Sequence, residues 1–69
     1  MKLEDVLKVV GENVWIQLQC SIGGLDFCTQ HSKGYYLDRG KNYLDKVVKM
    51  IYVHDGILEI QIESIGEGV

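Results

Sequence analysis

Cys20, Cys28, His31 and His54 are the whole complement of thiol and imidazole side chains in this chain. Two thiolates and two imidazoles are the number and type of ligand that a tetrahedral structural zinc takes. Cys28-x-x-His31 has the spacing of a zinc knuckle, Cys20 lies one hairpin arm away, and His54 sits beside a second turn. Asp26 and Asp55 are available as substitute ligands. A short chain gains from such a clip, because the free energy of metal binding becomes free energy of folding. Against convergence, the seven residues between Cys20 and Cys28 match no standard finger spacing. The competing reading is two half-buried cysteines and two surface histidines. Cys28 with His31 or His54 also has the makings of a nucleophile and base. Nothing in the sequence supplies an oxyanion helix or an orienting third group, so a non-enzymatic role is expected.

The elements that must position these residues are short. Leu3, Val6, Leu7 and Val10 recur at helical spacing and predict a helix of about two turns. Glu4 and Asp5 fall in its first turn, where the helix dipole favours acids, and Gly11 is a natural stop. Val14, Ile16, Leu18 and Cys20 alternate with Trp15, Gln17 and Gln19, the pattern of a half-buried strand. Ser21-Ile22-Gly23-Gly24 signals a turn, and Leu25 to Gln30 reads as the returning strand. A two-residue Gly-Gly turn sets Cys20 opposite Phe27 and Cys28 on the other face. A three-residue loop brings both thiols to one side. The sequence leaves both registers open.

Residues 31–34 read as a turn, 35–37 as a short strand and 38–42 as loop. Leu44, Val47, Val48 and Ile51 fit a helical turn near 43–48, although the β-branched residues favour a strand. The clearest signal is His54-Asp55-Gly56-Ile57 between two alternating runs. It sets Val53 opposite Leu58 and Ile51 opposite Ile60, with Tyr52, Glu59 and Gln61 on the other face. Ser64 to Val69 is Gly-rich and expected to be loose. The expected fold is α+β: a short N-terminal helix packed on an antiparallel sheet of two β-hairpins, in one domain spanning residues 1–69.

A chain of 69 residues buries only about 60% of its surface, so its core is marginal. The formal net charge of −3 argues against a general nucleic-acid binder, which needs Lys and Arg in excess. It suits a basic partner, such as a nucleic-acid enzyme with a positive groove. Gly23-Gly24 is no phosphate loop, since no lysine or helix follows it in the required pattern. Base stacking on Lys33-Gly34-Tyr35-Tyr36 is disfavoured by the same charge. No run approaches the roughly 20 apolar residues of a membrane span, and Met1 to Asp5 does not open a signal peptide. A cytoplasmic location with reduced thiols is expected.

Candidate partner-binding residues are Trp15, Tyr35, Tyr36 and Tyr52, as aromatic anchors, and Asp26 and Asp38, as acids able to face a basic groove. Asp45, Glu59 and Glu63 extend the acidic set. The alternative for the aromatics is a second core layer or a homodimer interface between sheets.

Tyr43-Leu44-Asp45-Lys46-Val47-Val48-Lys49-Met50-Ile51-Tyr52-Val53-His54-Asp55-Gly56-Ile57-Leu58-Glu59-Ile60 resembles an ending of short phage and prophage proteins of gut Firmicutes. That ending runs Leu-Asp, then Val-x-x-Ile, then Asp-Gly before a closing strand. The opening Met-Lys-Leu-x-Asp-Val-Leu is similar too, and together they cover about half the chain. In size and acidity the chain resembles small anti-CRISPR inhibitors of type II effector nucleases. The resemblance implies a phage-type inhibitor that binds a host nuclease and blocks nucleic-acid engagement, without touching nucleic acid or membrane, and with zinc as a structural cofactor. The other functions weighed are a homo-oligomeric sponge for a nucleotide-type small ligand and a structural phage protein.

Overall fold

A computed structural model describes residues 1–66. In chain order the elements are α1 (Leu3–Leu7), β1 (Trp15–Ile22), β2 (Leu25–His31), α2 (Lys33–Arg39), a 3₁₀ turn (Lys41–Tyr43), β3 (Val48–His54) and β4 (Ile57–Ile62). The strands form one sheet in the order β2-β1-β4-β3. Each hairpin is antiparallel, β1 with β2 and β3 with β4, as expected. The hairpins meet through β1 and β4, which run parallel, so the sheet is mixed.

Both hairpin turns are two residues long. Gly23 and Gly24 have φ of 57° and 87°, and Asp55 and Gly56 have 51° and 75°. Positive φ at both central residues matches the twist of the flanking strands. The first turn settles the open register: Cys20 pairs with Phe27, and Gln19 with Cys28. The second pairs Val53 with Leu58 and Ile51 with Ile60.

Helix α1 has five residues, fewer than its apolar spacing suggests, and is too short to persist alone. Its first N–H groups have backbone partners instead: Leu3 donates to the Lys46 carbonyl and Glu4 to that of Leu44, each at 3.0 Å. The Lys2 amide donates to Asp5 Oδ2 at 3.1 Å, which closes the first turn. Leu3, Val6 and Leu7 are then buried against Ile16, Leu18 and Cys20 of β1 and Ile60 and Ile62 of β4.

The short strand expected at 35–37 is part of helix α2; the 3₁₀ turn lies at Lys41–Tyr43, ahead of the helical turn expected near 43–48, and the β-branched residues from Val48 on form β3 instead. The topology explains both. β2 and β3 lie at opposite edges, so residues 32–47 must cross the sheet, about 14 Å at three strand spacings. Helix α2 covers about 10 Å of that distance and the 3₁₀ turn continues the crossing, while Tyr36 joins the core with 1% exposure. Gly40 closes the crossing: a Cβ there would sit 3.0 Å from the Tyr36 carbonyl oxygen and 3.1 Å from its Cα. The C-terminal segment is tied down further than its composition suggests. Ile65 bridges to Ile22, with its amide donating to the Ser21 carbonyl at 2.7 Å. The rest of the expected loose tail, residues 67–69, lies outside the described residues.

Candidate functional site

Strand pairing sorts the side chains into two faces. Ile16, Leu18 and Cys20 share a face with Leu58, Ile60 and Ile62, and α1 and Tyr36 cover it. The opposite face carries no element of the described chain, and its residues are mostly polar or aromatic, with Cys28, Met50 and Ile57 among them.

Gln30, Gln17, Glu59 and Tyr52 align across that open face, one from each strand. Hydrogen bonds link them into a ladder. Trp15 Nε1 donates to Gln30 Oε1 (3.1 Å), Gln30 Nε2 to Gln17 Oε1 (2.7 Å), and Gln17 Nε2 to Glu59 Oε1 (3.4 Å). From the far edge, Tyr52 OH donates to Glu59 Oε2 at 2.6 Å, and His54 Nε2 lies 2.7 Å from Glu59 Oε1. An indole only donates and a carboxylate only accepts. The two ends therefore fix the direction of both amides, and place a proton on His54 Nε2.

Glu59 is 4% exposed on this uncovered face, because the side chains bonded to it shield it. The Tyr52 hydroxyl holds its carboxyl below the usual range; burial opposes this, and the His54 contact assists it. The same bond, with burial and the nearby negative charge, pushes the Tyr52 phenol above its ordinary value. Trp15 and Tyr52 remain 46% and 45% exposed at the two ends. The ladder is thus a preorganised polar surface with an aromatic side chain at each end.

A second row, Cys28, Gln19, Gln61 and Met50, runs beside it. Gln19 and Gln61, with Ser21, Asp26, Cys28 and Lys49, line a shallow cavity of about 280 Å³.

The four thiol and imidazole residues do not converge. Cys20 points into the core, where burial pushes its thiol up, and Cys28 is exposed on the open face. Three residues apart on one strand, Cys28 and His31 face opposite sides. His54 lies on β3 at the far edge, bonded to Glu59. Among the described residues, no three His, Cys, Asp or Glu side chains are placed to hold one metal ion.

Of the aromatic candidates, Trp15 and Tyr52 lie on the open face. Tyr35, on α2 on the covered side, is 41% exposed and stacked on His31 at 3.5 Å between ring centroids, with the Trp15 ring 6.4 Å from that of His31. Tyr36 is a correction. It is a core residue whose hydroxyl contacts Thr29 and Ile16, and it has no surface to offer a partner. Asp26 is exposed on the open face, whereas Asp38 is exposed on α2, on the covered side. The sequence reading grouped His54 with the thiols, whereas His54 bonds Glu59, and it missed Gln17 and Gln30. Their alternation was visible, but the parallel pairing that sets Gln17 beside Glu59 was not.

No family model, curated protein or solved structure matches this chain.

Proposed function

We propose that the protein is a non-enzymatic binding module whose open sheet face docks on a protein partner. The interlocked ladder between Trp15 and Tyr52 carries this reading. A polar surface already held in one geometry loses little conformational entropy on binding, and half-exposed aromatics at its ends are typical anchors. The net charge of −3 favours a basic partner, and Asp26 supplies an exposed acid on the same face. With the phage-type resemblance, this points to a host nuclease, first the type II CRISPR effector, inhibited in the cytosol by occupation of its nucleic-acid surface. No helix of the described residues is long and apolar enough to cross a membrane.

The test is a pull-down and a DNA-cleavage assay with the purified effector. Binding is expected to weaken with Trp15→Ala and Asp26→Lys, and less with Asp38→Lys, which lies on the covered side. Absence of binding, or binding indifferent to all three, removes the nuclease reading.

A second reading rests on the cavity. Gln19 and Gln61 form no side-chain hydrogen bonds among the described residues, unlike the ladder beside them, and are free to read a small polar ligand of nucleotide type. A thermal-shift screen with nucleotides separates the two readings.

A further inference from the structure

The sheet has two edges, β2 and β3, and they differ in how they meet solvent. An edge strand presents unpaired N–H and C=O groups, and monomeric proteins blunt such edges with charges, prolines or bulges. β2 carries Asp26 within the strand. β3 is regular from Met50 to His54, beyond an irregularity between Val48 and Met50. Four consecutive large side chains on that stretch meet solvent: Met50, Ile51, Tyr52 and Val53 are 51, 41, 45 and 68% exposed. From Lys46 to His54 there is no acidic residue, in a chain with ten.

We propose that β3 is a self-association edge, on which two copies pair antiparallel about a twofold axis at Tyr52, joining two four-stranded sheets into one. The sequence of the edge is self-complementary in this register. Ile51 falls opposite the partner's Val53, and Val53 opposite the partner's Ile51, which gathers four exposed aliphatic side chains into one cluster. Met50 falls opposite the partner's His54, a favourable thioether–aromatic pairing. Lys49, in the irregularity at one end of the edge, and Asp55, in the turn at the other, flank this ladder, so the basic end of each edge lies beside the acidic end of the partner's.

An axis at Ile51 instead brings Lys49 beside the partner's Val53 and leaves Asp55 unmatched. The same operation on β2 brings Asp26 against no basic residue, since β2 has no Lys or Arg. The acid-free stretch also lets two chains of net charge −3 approach where their repulsion is least. A pairing of this length buries on the order of 1,000 Å² in total, the lower limit for a specific interface. The dimer is therefore a concentration-dependent equilibrium and not an obligate state.

Sedimentation equilibrium over a wide concentration range tests this. The mass is expected to rise from 7.8 kDa towards twice that value. Val53→Lys alters a side chain that is already mostly exposed and should weaken association by at least roughly tenfold, with an unchanged circular dichroism spectrum. The register has its own test. Lys49→Glu and Asp55→Lys should each be monomeric alone, because each brings like charges together at the ends of the edge, and an equimolar mixture should dimerise, because the charges at both ends become opposite in sign. If Asp55→Lys loosens the hairpin turn, Asp55→Asn keeps the left-handed conformation and should still weaken the dimer. A protein that stays monomeric throughout overturns the proposal. So does a dimer that survives Val53→Lys unchanged, or a mixture that fails to restore association.

Discussion

Tyr36→Phe isolates the contact that docks the crossing helix on the sheet. The ring is 1% exposed. Its hydroxyl lies 3.0 Å from Thr29 Oγ1, 3.0 Å from the Thr29 carbonyl oxygen and 3.3 Å from that of Ile16. A phenol has one proton, so it donates to one of the two carbonyls at a time while accepting from the Thr29 hydroxyl. The substitution keeps the ring and its packing and removes one donated and one accepted bond. At about 0.5–1.5 kcal/mol net for each, the expected cost is about 1–3 kcal/mol. A domain of this size has about 3–10 kcal/mol of stability in all, so the variant should still fold. At about 4–8 °C per kcal/mol, its melting temperature should fall by roughly 5–20 °C. Urea denaturation followed by Trp15 fluorescence gives the free energy, and an unchanged m-value shows that the unfolding reaction is the same. A variant as stable as the parent would refute the docking of α2 through this hydroxyl, and the crossing would then have to be held by other contacts.

Two further predictions concern the open face. The folded-state pKa of Glu59 is lowered, so its stabilising contribution is present above the unfolded glutamate value of about 4.3 and is lost as pH falls through the lower folded value. Acid unfolding of the parent should steepen in that window, and Glu59→Gln should flatten it; parallel acid limbs would show that the carboxylate is not bonded as described. The cysteines should separate kinetically. Cys28 is exposed, while Cys20 is buried with its thiol pushed up, so a thiol reagent should modify one cysteine at once and the second only on unfolding. Equal protection of both, relieved by a chelator, would instead point to a shared zinc.

What could be read from the sequence follows from the range of the interactions involved. Asp55-Gly56 fixes its hairpin locally, because positive φ at both positions permits one turn type, and the pairing of Val53 with Leu58 follows by counting outward. The alternation around Ile16 and Leu18 is likewise a local signal. The Gly23-Gly24 hairpin was legible only as two alternatives, since the spacing allowed two loop lengths and a change of one residue exchanges the faces of the strand. Residues 31–45 were misread because Tyr35-Tyr36-Leu37 has one buried residue between two exposed ones, a pattern that fits either a strand or one turn of helix. The choice is made by the distance from β2 to β3, which the local sequence does not encode. The same is true of the site. Glu59 reads as a surface acid on an alternating strand, and becomes a shielded acceptor only because β4 lies parallel beside β1 and carries Gln17 to it.

A chain of this length cannot cover both faces and both edges of a four-stranded sheet. Helices of five and seven residues shield the middle of one face, which leaves Leu25 and Phe27 at one edge and Ile51 and Val53 at the other in contact with water. The uncovered face meets the same constraint with polar chemistry, each side chain of the ladder satisfying its neighbour. These two kinds of surface favour different partners. An aliphatic edge with unpaired backbone groups is best satisfied by another strand, and β3 offers the complementary one in a second copy of itself. A polar face with its hydrogen bonds already made gains little from a second identical face, but presents fixed aromatic and acidic contacts to a surface of opposite charge. Self-association through the β3 edge and partner binding through the open face are therefore compatible. Joining two sheets at β3 would also place two Tyr52 side chains side by side in one wider docking surface.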